Sequence, residues 1–102
     1  MKFTKDRWLG NKWACIDVDP YEYEHFPIFL LHFQATYKLK IPNIIDMLDA
    51  YGADFKLDGA DVMMNMDNWC FSIAFSDDRV RDRVFEDLNA LPPDFFELKG
   101  KK

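Results

Sequence analysis

Hydrophobic and polar residues alternate between positions 53 and 75, and two candidate tight turns interrupt the run. Asp58-Gly59 and Asp67-Asn68 each suit a two-residue hairpin turn, the first more strongly. Both turns predict the same three-stranded antiparallel meander, because directly opposed residues share a face. The predicted core face comprises Ala53, Phe55, Leu57, Ala60, Val62, Met64, Met66, Trp69, Phe71, Ile73 and Phe75. The predicted outer face comprises Asp54, Lys56, Asp61, Met63, Asn65, Cys70, Ser72 and Ala74.

The two turns also predict a register. The first opposes Phe55 to Val62, and the second opposes Met66 to Trp69 and Met64 to Phe71. A slip of one residue would exchange the two faces and expose the hydrophobic side chains.

A further hairpin is predicted between residues 3 and 18, where Gly10-Asn11 separates two apolar runs. A two-residue loop would pair Trp8 with Trp13, and a three-residue loop would pair Leu9 with Trp13. In either register Ala14, Ile16 and Val18 share one face, and Trp13, Cys15 and Asp17 share the other.

Three segments show the helical spacing of apolar residues. The first runs from about Pro27 to Lys38, after a loop in which Asp19-Pro20 resembles a helix start. The second is "IPNIIDMLDAYG", with a proline in its first turn and Gly52 as the C-terminal cap. The third follows Ser76 or Asp77, and Pro92-Pro93 ends it. Its predicted buried stripe comprises Val80, Val84, Leu88 and Leu91.

These elements predict a two-layer α+β domain in the order ββααβββα, with an antiparallel sheet packed against about three helices. The sheet would combine the N-terminal hairpin with the meander at 53–75. At 102 residues and 49% apolar composition, we expect one globular domain over residues 1–98. The basic tail at 99–102 is expected to be disordered. The tail segment "DFFEL" is expected to dock on the core, with a second interaction surface as the alternative.

The charge is acidic, with 18 Asp and Glu against 13 Lys and Arg and a net charge of −5. Binding to a phosphate backbone needs a basic face, so we expect no nucleic-acid partner. Acidic side chains would instead steer a basic protein partner. No apolar run is long enough for a membrane helix, and the N-terminus lacks the apolar segment of a signal peptide. We therefore expect a cytoplasmic protein with no membrane partner.

Candidate catalytic and metal-binding residues do not form a recognisable set. Met63, Met64 and Met66 alternate between the two predicted faces, so their thioethers would not converge on a metal. One Glu22-x-x-His25 motif is present, whereas a di-iron site needs two such motifs and two further Glu. We expect no cofactor, no metal and no catalytic residue. A site between helices and sheet that uses Cys70, His25 or His32 remains the enzymatic alternative.

The connection "DVDPYEYEH" carries the strongest indication of function. Acids steer cationic partners, and tyrosine is enriched in binding hot spots. The residues predicted to bind a protein partner are Asp17, Asp19, Tyr21, Glu22, Tyr23 and Glu24. We therefore expect a non-catalytic adaptor, inhibitor or immunity-type protein; the comparison with bacterial immunity proteins rests on size and charge alone. The further alternative is a homodimer, formed through an edge strand or through the Met63–Ser72 face.

Overall fold

The computed structural model describes residues 1–40, 43–47 and 49–97. Its strands are β1 (Lys2–Arg7), β2 (Ala14–Asp19), β3 (Asn43–Met47), β4 (Ala50–Leu57), β5 (Ala60–Met66) and β6 (Phe71–Phe75). Its helices are α1 (His25–Tyr37) and α2 (Asp78–Asn89). The predicted α+β class is confirmed. The predicted order and the third helix are wrong, since the described elements run ββαββββα.

All six strands form one antiparallel sheet in the order β1-β2-β6-β5-β4-β3. Both helices pack on the same face. Phe29 of α1 meets Phe71 with ring centroids 4.9 Å apart, and Leu88 of α2 belongs to the same buried cluster. The opposite face, called the outer face below, carries neither α1 nor α2.

Helix α1 begins at His25, two residues before the predicted start, and ends before Lys38, whose φ of 53° is left-handed. Pro27 lies in its first turn, where a missing N–H costs no intrahelical hydrogen bond. The predicted loop before α1 is confirmed, and Asp19-Pro20, which resembles a helix start in the sequence, is a cis peptide ahead of that loop.

The predicted second helix is also wrong. Its residues include β3 and the start of β4, which pair antiparallel with Ile45 opposite Gly52. Gly52 is thus a strand residue and not a helix cap. Ile41, Pro42 and Leu48, which belonged to the same prediction, lie outside the described residues. A short apolar run such as this one is compatible with both a helix and a strand. The β-branched Ile44 and Ile45 favour a strand, and β3 pairs with β4 in the sheet.

The meander confirms the first predicted turn and shifts the second. Leu57 pairs with Ala60 as expected, but Met66 pairs with Phe71 and not with Trp69. Residues 67–70 therefore form a loop between β5 and β6. A slip of two residues preserves the faces, so the other ten predicted core residues are buried. Trp69 is the exception, at 85% exposed, and Cys70 lies beside it in the loop.

The N-terminal hairpin has the register of the two-residue alternative. The Trp8 amide donates to the Trp13 carbonyl at 2.9 Å, and Arg7 pairs with Ala14. At the other end of the chain Phe96 stacks on Phe29, with ring centroids 4.1 Å apart, and is 6% exposed. Phe96 therefore docks on the core, while Leu98 and the tail at 99–102 lie outside the described residues.

Candidate protein-binding surface

The predicted acidic connection leads from β2 into α1, and its residues have different surroundings. Asp19, Glu22 and Glu24 are exposed. Tyr21 and Tyr23 are half-buried and point back onto the domain. The acids therefore face solvent, while the tyrosines act within the fold.

Tyr21 fastens the connection to the β5–β6 loop. Its hydroxyl donates to the backbone carbonyl of Asp67 at 2.6 Å. Its ring packs edge-on against Phe71, with centroids 5.8 Å apart. Burial raises the pKa of this hydroxyl above its ordinary value of 10.0, so it stays protonated further into the alkaline range.

Tyr23 makes a second attachment. Its hydroxyl lies 2.9 Å from the backbone carbonyl of Asp49 and also contacts the Asn68 side chain. Its ring packs edge-on against Tyr51. The two tyrosines thus bring three separate chain segments together at one end of the sheet.

The loop at 67–70 is fixed by one carboxylate. Asp67 Oδ1 accepts from the backbone amides of Trp69 and Cys70, both at 2.8 Å. The Asp67 amide donates to the Cys70 carbonyl at 2.9 Å, which closes the loop. The backbone around Trp69 is thus held by hydrogen bonds, and the Trp69 side chain is exposed to solvent.

We name residues 19–24, Asp49 and residues 67–70 the acidic loop cluster. It carries the carboxylates of Asp19, Glu22, Glu24, Asp49 and Asp67, and none of its residues is Lys or Arg. Sequence reasoning found the connection but assigned Trp69 to the core. The available signal was Asp67, since an Asp side chain that accepts amides two and three residues ahead also suits a longer loop.

Asp17, the remaining predicted residue, belongs to the outer face. Trp8 stands opposite Trp13, and Ser72 opposite Asp17. The Trp8 indole nitrogen donates to Ser72 Oγ at 2.9 Å, so the indole crosses β2 above Cys15. This explains why Cys15 is only 1% exposed on a face that neither helix covers.

Beneath this indole, Cys15 Sγ lies 3.8 Å from Asp17 Oδ1. Burial, followed by a hydrogen bond with Asp6, raises the pKa of Asp17. Burial likewise raises the pKa of Cys15 to about 11, and the negative charge of Asp17 adds to this. Asp17 is therefore engaged by its outer-face neighbours.

The histidines and Cys70 do not favour the enzymatic alternative. Nδ1 of His25 accepts from the Glu22 amide at 2.9 Å, and its Nε2 lies 3.0 Å from the Phe96 carbonyl. His32 packs on Phe95 and Phe96, and burial lowers its pKa. Burial and Asp67 raise the pKa of Cys70, which makes it a weaker nucleophile at neutral pH.

Two features are absent from the described ranges 1–40, 43–47 and 49–97. They hold no group of three or more His, Cys, Asp or Glu side chains arranged to bind a metal ion. Neither helix among them is long and apolar enough to cross a membrane. Comparison with protein-family models, with curated proteins and with solved structures found no match.

Proposed function

We propose that this protein is a non-catalytic domain that binds a basic protein partner through the acidic loop cluster. The observation that carries the proposal is Trp69, 85% exposed on the hydrogen-bonded loop of the acidic loop cluster. Tryptophan is the residue most enriched in binding hot spots, and a braced loop loses little entropy when it binds. The partner would have an apolar pocket that accepts the indole, with Lys or Arg side chains at its rim.

The acids and Trp69 have separate roles in this proposal. Asp19, Glu22 and Glu24 attract the partner over distances comparable to the Debye length, so they act mainly on the association rate and its salt dependence. Trp69 acts after contact, by burying apolar surface. Tyr21 and Tyr23 position both groups and do not themselves meet the partner.

Affinity capture from the native cell, followed by titration with the purified captured protein, tests the proposal. Trp69→Ala should weaken binding by at least about tenfold, equivalent to 1.4 kcal/mol. Leu9→Ala is the matched control, because Leu9 is 96% exposed on the β1–β2 loop at the opposite end of the sheet. Binding that Trp69→Ala leaves unchanged contradicts the proposal.

The acids are tested separately. Glu22→Gln with Glu24→Gln should slow association at low salt and flatten its salt dependence. Asp54→Asn with Glu86→Gln removes the same total charge from exposed positions on β4 and α2, outside the cluster. Equal effects from the two pairs would mean that net charge, and not the cluster, attracts the partner.

A homodimer is the second candidate, and the β3 edge favours it. β3 pairs with β4 on one side and is the last strand of the sheet. Its Ile44 and Ile45 are 56% and 53% exposed. An edge with exposed hydrophobic side chains is a template for pairing with another chain. Sedimentation at two concentrations tests this, and an Ile45→Lys variant should abolish any dimer found.

A further inference from the structure

A groove of about 660 Å³ lies between the start of β1, the β2–α1 connection and the segment that follows α2. It is separate from the acidic loop cluster except at Pro20 and Glu22, which border both. Its volume is that of a small-molecule site.

The floor of the groove is apolar and firmly held. Phe3, Leu88 and Phe96 line it, together with Leu91. The rings of Phe3 and Phe96 pack edge-on, with centroids 6.3 Å apart. Phe96 also stacks on Phe29, so the floor is part of the hydrophobic core.

Several hydrogen-bond donors at the groove already have partners within the fold. The Glu22 amide donates to His25 Nδ1, which leaves the proton on His25 Nε2, and this donates to the Phe96 carbonyl. The Asn89 amide nitrogen donates to the Phe85 carbonyl at 3.0 Å. A ligand would therefore meet mainly acceptors.

The charged side chains that line the groove are also hydrogen-bond acceptors. Glu22, Asp94 and Glu97 contribute carboxylates, and within residues 1–40, 43–47 and 49–97 no lysine or arginine side chain lines the groove. Acids therefore predominate among the charged side chains of the described lining.

We propose that the groove binds an organic cation, an ammonium or guanidinium group joined to an apolar body. The body would rest on Phe3, Leu91 and Phe96, and the cation would donate to the carboxylates of Asp94 and Glu97. Charge-assisted hydrogen bonds are about twice as strong as neutral ones, and an aromatic floor also attracts cations.

The probes are 2-phenylethylamine, 2-phenylethanol and phenylacetate, which share a ring and differ in charge. Each is titrated into the full chain and followed by amide chemical shifts in NMR. The amine should bind at least about tenfold more tightly than the alcohol at low salt, with the largest shifts at Leu91, Phe96 and Glu97. Phenylacetate should bind more weakly than the alcohol.

Asp94→Asn with Glu97→Gln should reduce amine binding about tenfold and leave alcohol binding unchanged. Both side chains are exposed, so the variant should keep the native spectrum. Glu86→Gln, an exposed acid of α2 that does not line the groove, is the matched control and should change neither. The proposal is overturned if the three probes bind equally, if the amine shifts map elsewhere, or if the acid variant leaves amine binding intact.

Discussion

The hydroxyl of Tyr21 donates a 2.6 Å hydrogen bond to the backbone carbonyl of Asp67, which lies 46 positions further along the chain. This bond joins the connection that carries the acids to the loop that carries Trp69. A binding surface made of two distant segments needs such a link, because either segment alone would be free to move relative to the other.

Tyr21→Phe should therefore loosen this end of the sheet without disturbing the core. The ring would keep its contact with Phe71, while the Asp67 carbonyl would lose its donor. We expect a loss of about 1 kcal/mol in the free energy of unfolding, measured in urea. Amide exchange at residues 67–70 should accelerate more than exchange in β2. Unchanged stability together with unchanged exchange would show that the bond does not hold the loop.

Trp69 and Phe71 should differ sharply in stability despite being two residues apart. Trp69 is 85% exposed and Phe71 is 1% exposed. We expect Trp69→Ala to change the free energy of unfolding by less than about 0.5 kcal/mol, and Phe71→Ala to lower it by about 3–5 kcal/mol. Thermal or urea unfolding of both variants measures this. A large loss in Trp69→Ala would place its indole against the core, as the two-residue turn had predicted.

The meander shows what the alternation of hydrophobic residues can determine. Asp58-Gly59 specified its turn and register correctly, because few other local structures suit that pair. Asp67-Asn68 specified a reversal but not its length. The predicted core and outer faces are correct because the register differs by two residues, which returns each side chain to the same face. Only Trp69 and Cys70, which lie in the loop, were assigned to the wrong place.

The segment after α1 shows what the local spacing of hydrophobic residues cannot determine. Ile44, Ile45 and Tyr51 satisfy a helical spacing, yet they belong to β3 and β4. β3 pairs with β4, and β4 in turn pairs with β5, which aligns Tyr51 with Met66. A partner strand 15 residues away leaves no trace in local periodicity.

The candidate site also combines features that the sequence predicts with contacts that depend on the fold. The exposure of Asp19, Glu22 and Glu24 could be predicted from the chain, because these acids lie between two elements. Their part in binding stays a prediction. Tyr21 and Tyr23 are predicted contact residues, and the structure adds that their hydroxyls bond to backbone carbonyls of loops far along the sequence. Such contacts depend on the strand order, which the sequence left open.

Arg81 should be more important to stability than its charge suggests. Its Nη1 donates to the carbonyls of Asp6 and Cys15 at 3.0 and 3.1 Å, and its side chain is buried against β1 and β2. Arg81→Ala would leave both carbonyls without this donor, so we expect a loss of about 2–3 kcal/mol in urea unfolding. Arg79→Ala, an exposed neighbour, should stay within about 0.5 kcal/mol.

A titration gives a second readout for Arg81. Its hydrogen bond to Asp82 at 2.7 Å holds the pKa of that carboxyl below its ordinary value. In Arg81→Ala the pKa of Asp82 should rise, as followed by carboxyl carbon NMR, while Arg79→Ala should leave it unchanged. The assignment of Arg81 as a link between α2 and the first hairpin fails if both variants behave alike.

Cys15 should make the protein less stable at alkaline pH. Burial raises its pKa from 9.0 to about 11 in the folded state. Between these values the unfolded chain has lost the thiol proton and the folded chain retains it. Stability therefore falls as pH rises through this window. From about pH 8 to about pH 10 we expect a loss of about 1 kcal/mol from this thiol.

Urea unfolding of wild type and Cys15→Ala at both pH values isolates the effect of Cys15. The tyrosines whose pKa is raised contribute a loss of the same sign, but they are present in both proteins. Cys15→Ala should therefore lose less stability than wild type between the two pH values, whatever its stability at neutral pH. Cys70 is exposed, but burial and Asp67 also raise its pKa, so Cys70→Ala should flatten the slope in the same sense and by less than Cys15→Ala does. If Cys15→Ala retains the full alkaline loss, Cys15 ionises as readily in the folded protein as in the unfolded chain, and the Trp8 indole does not shield it.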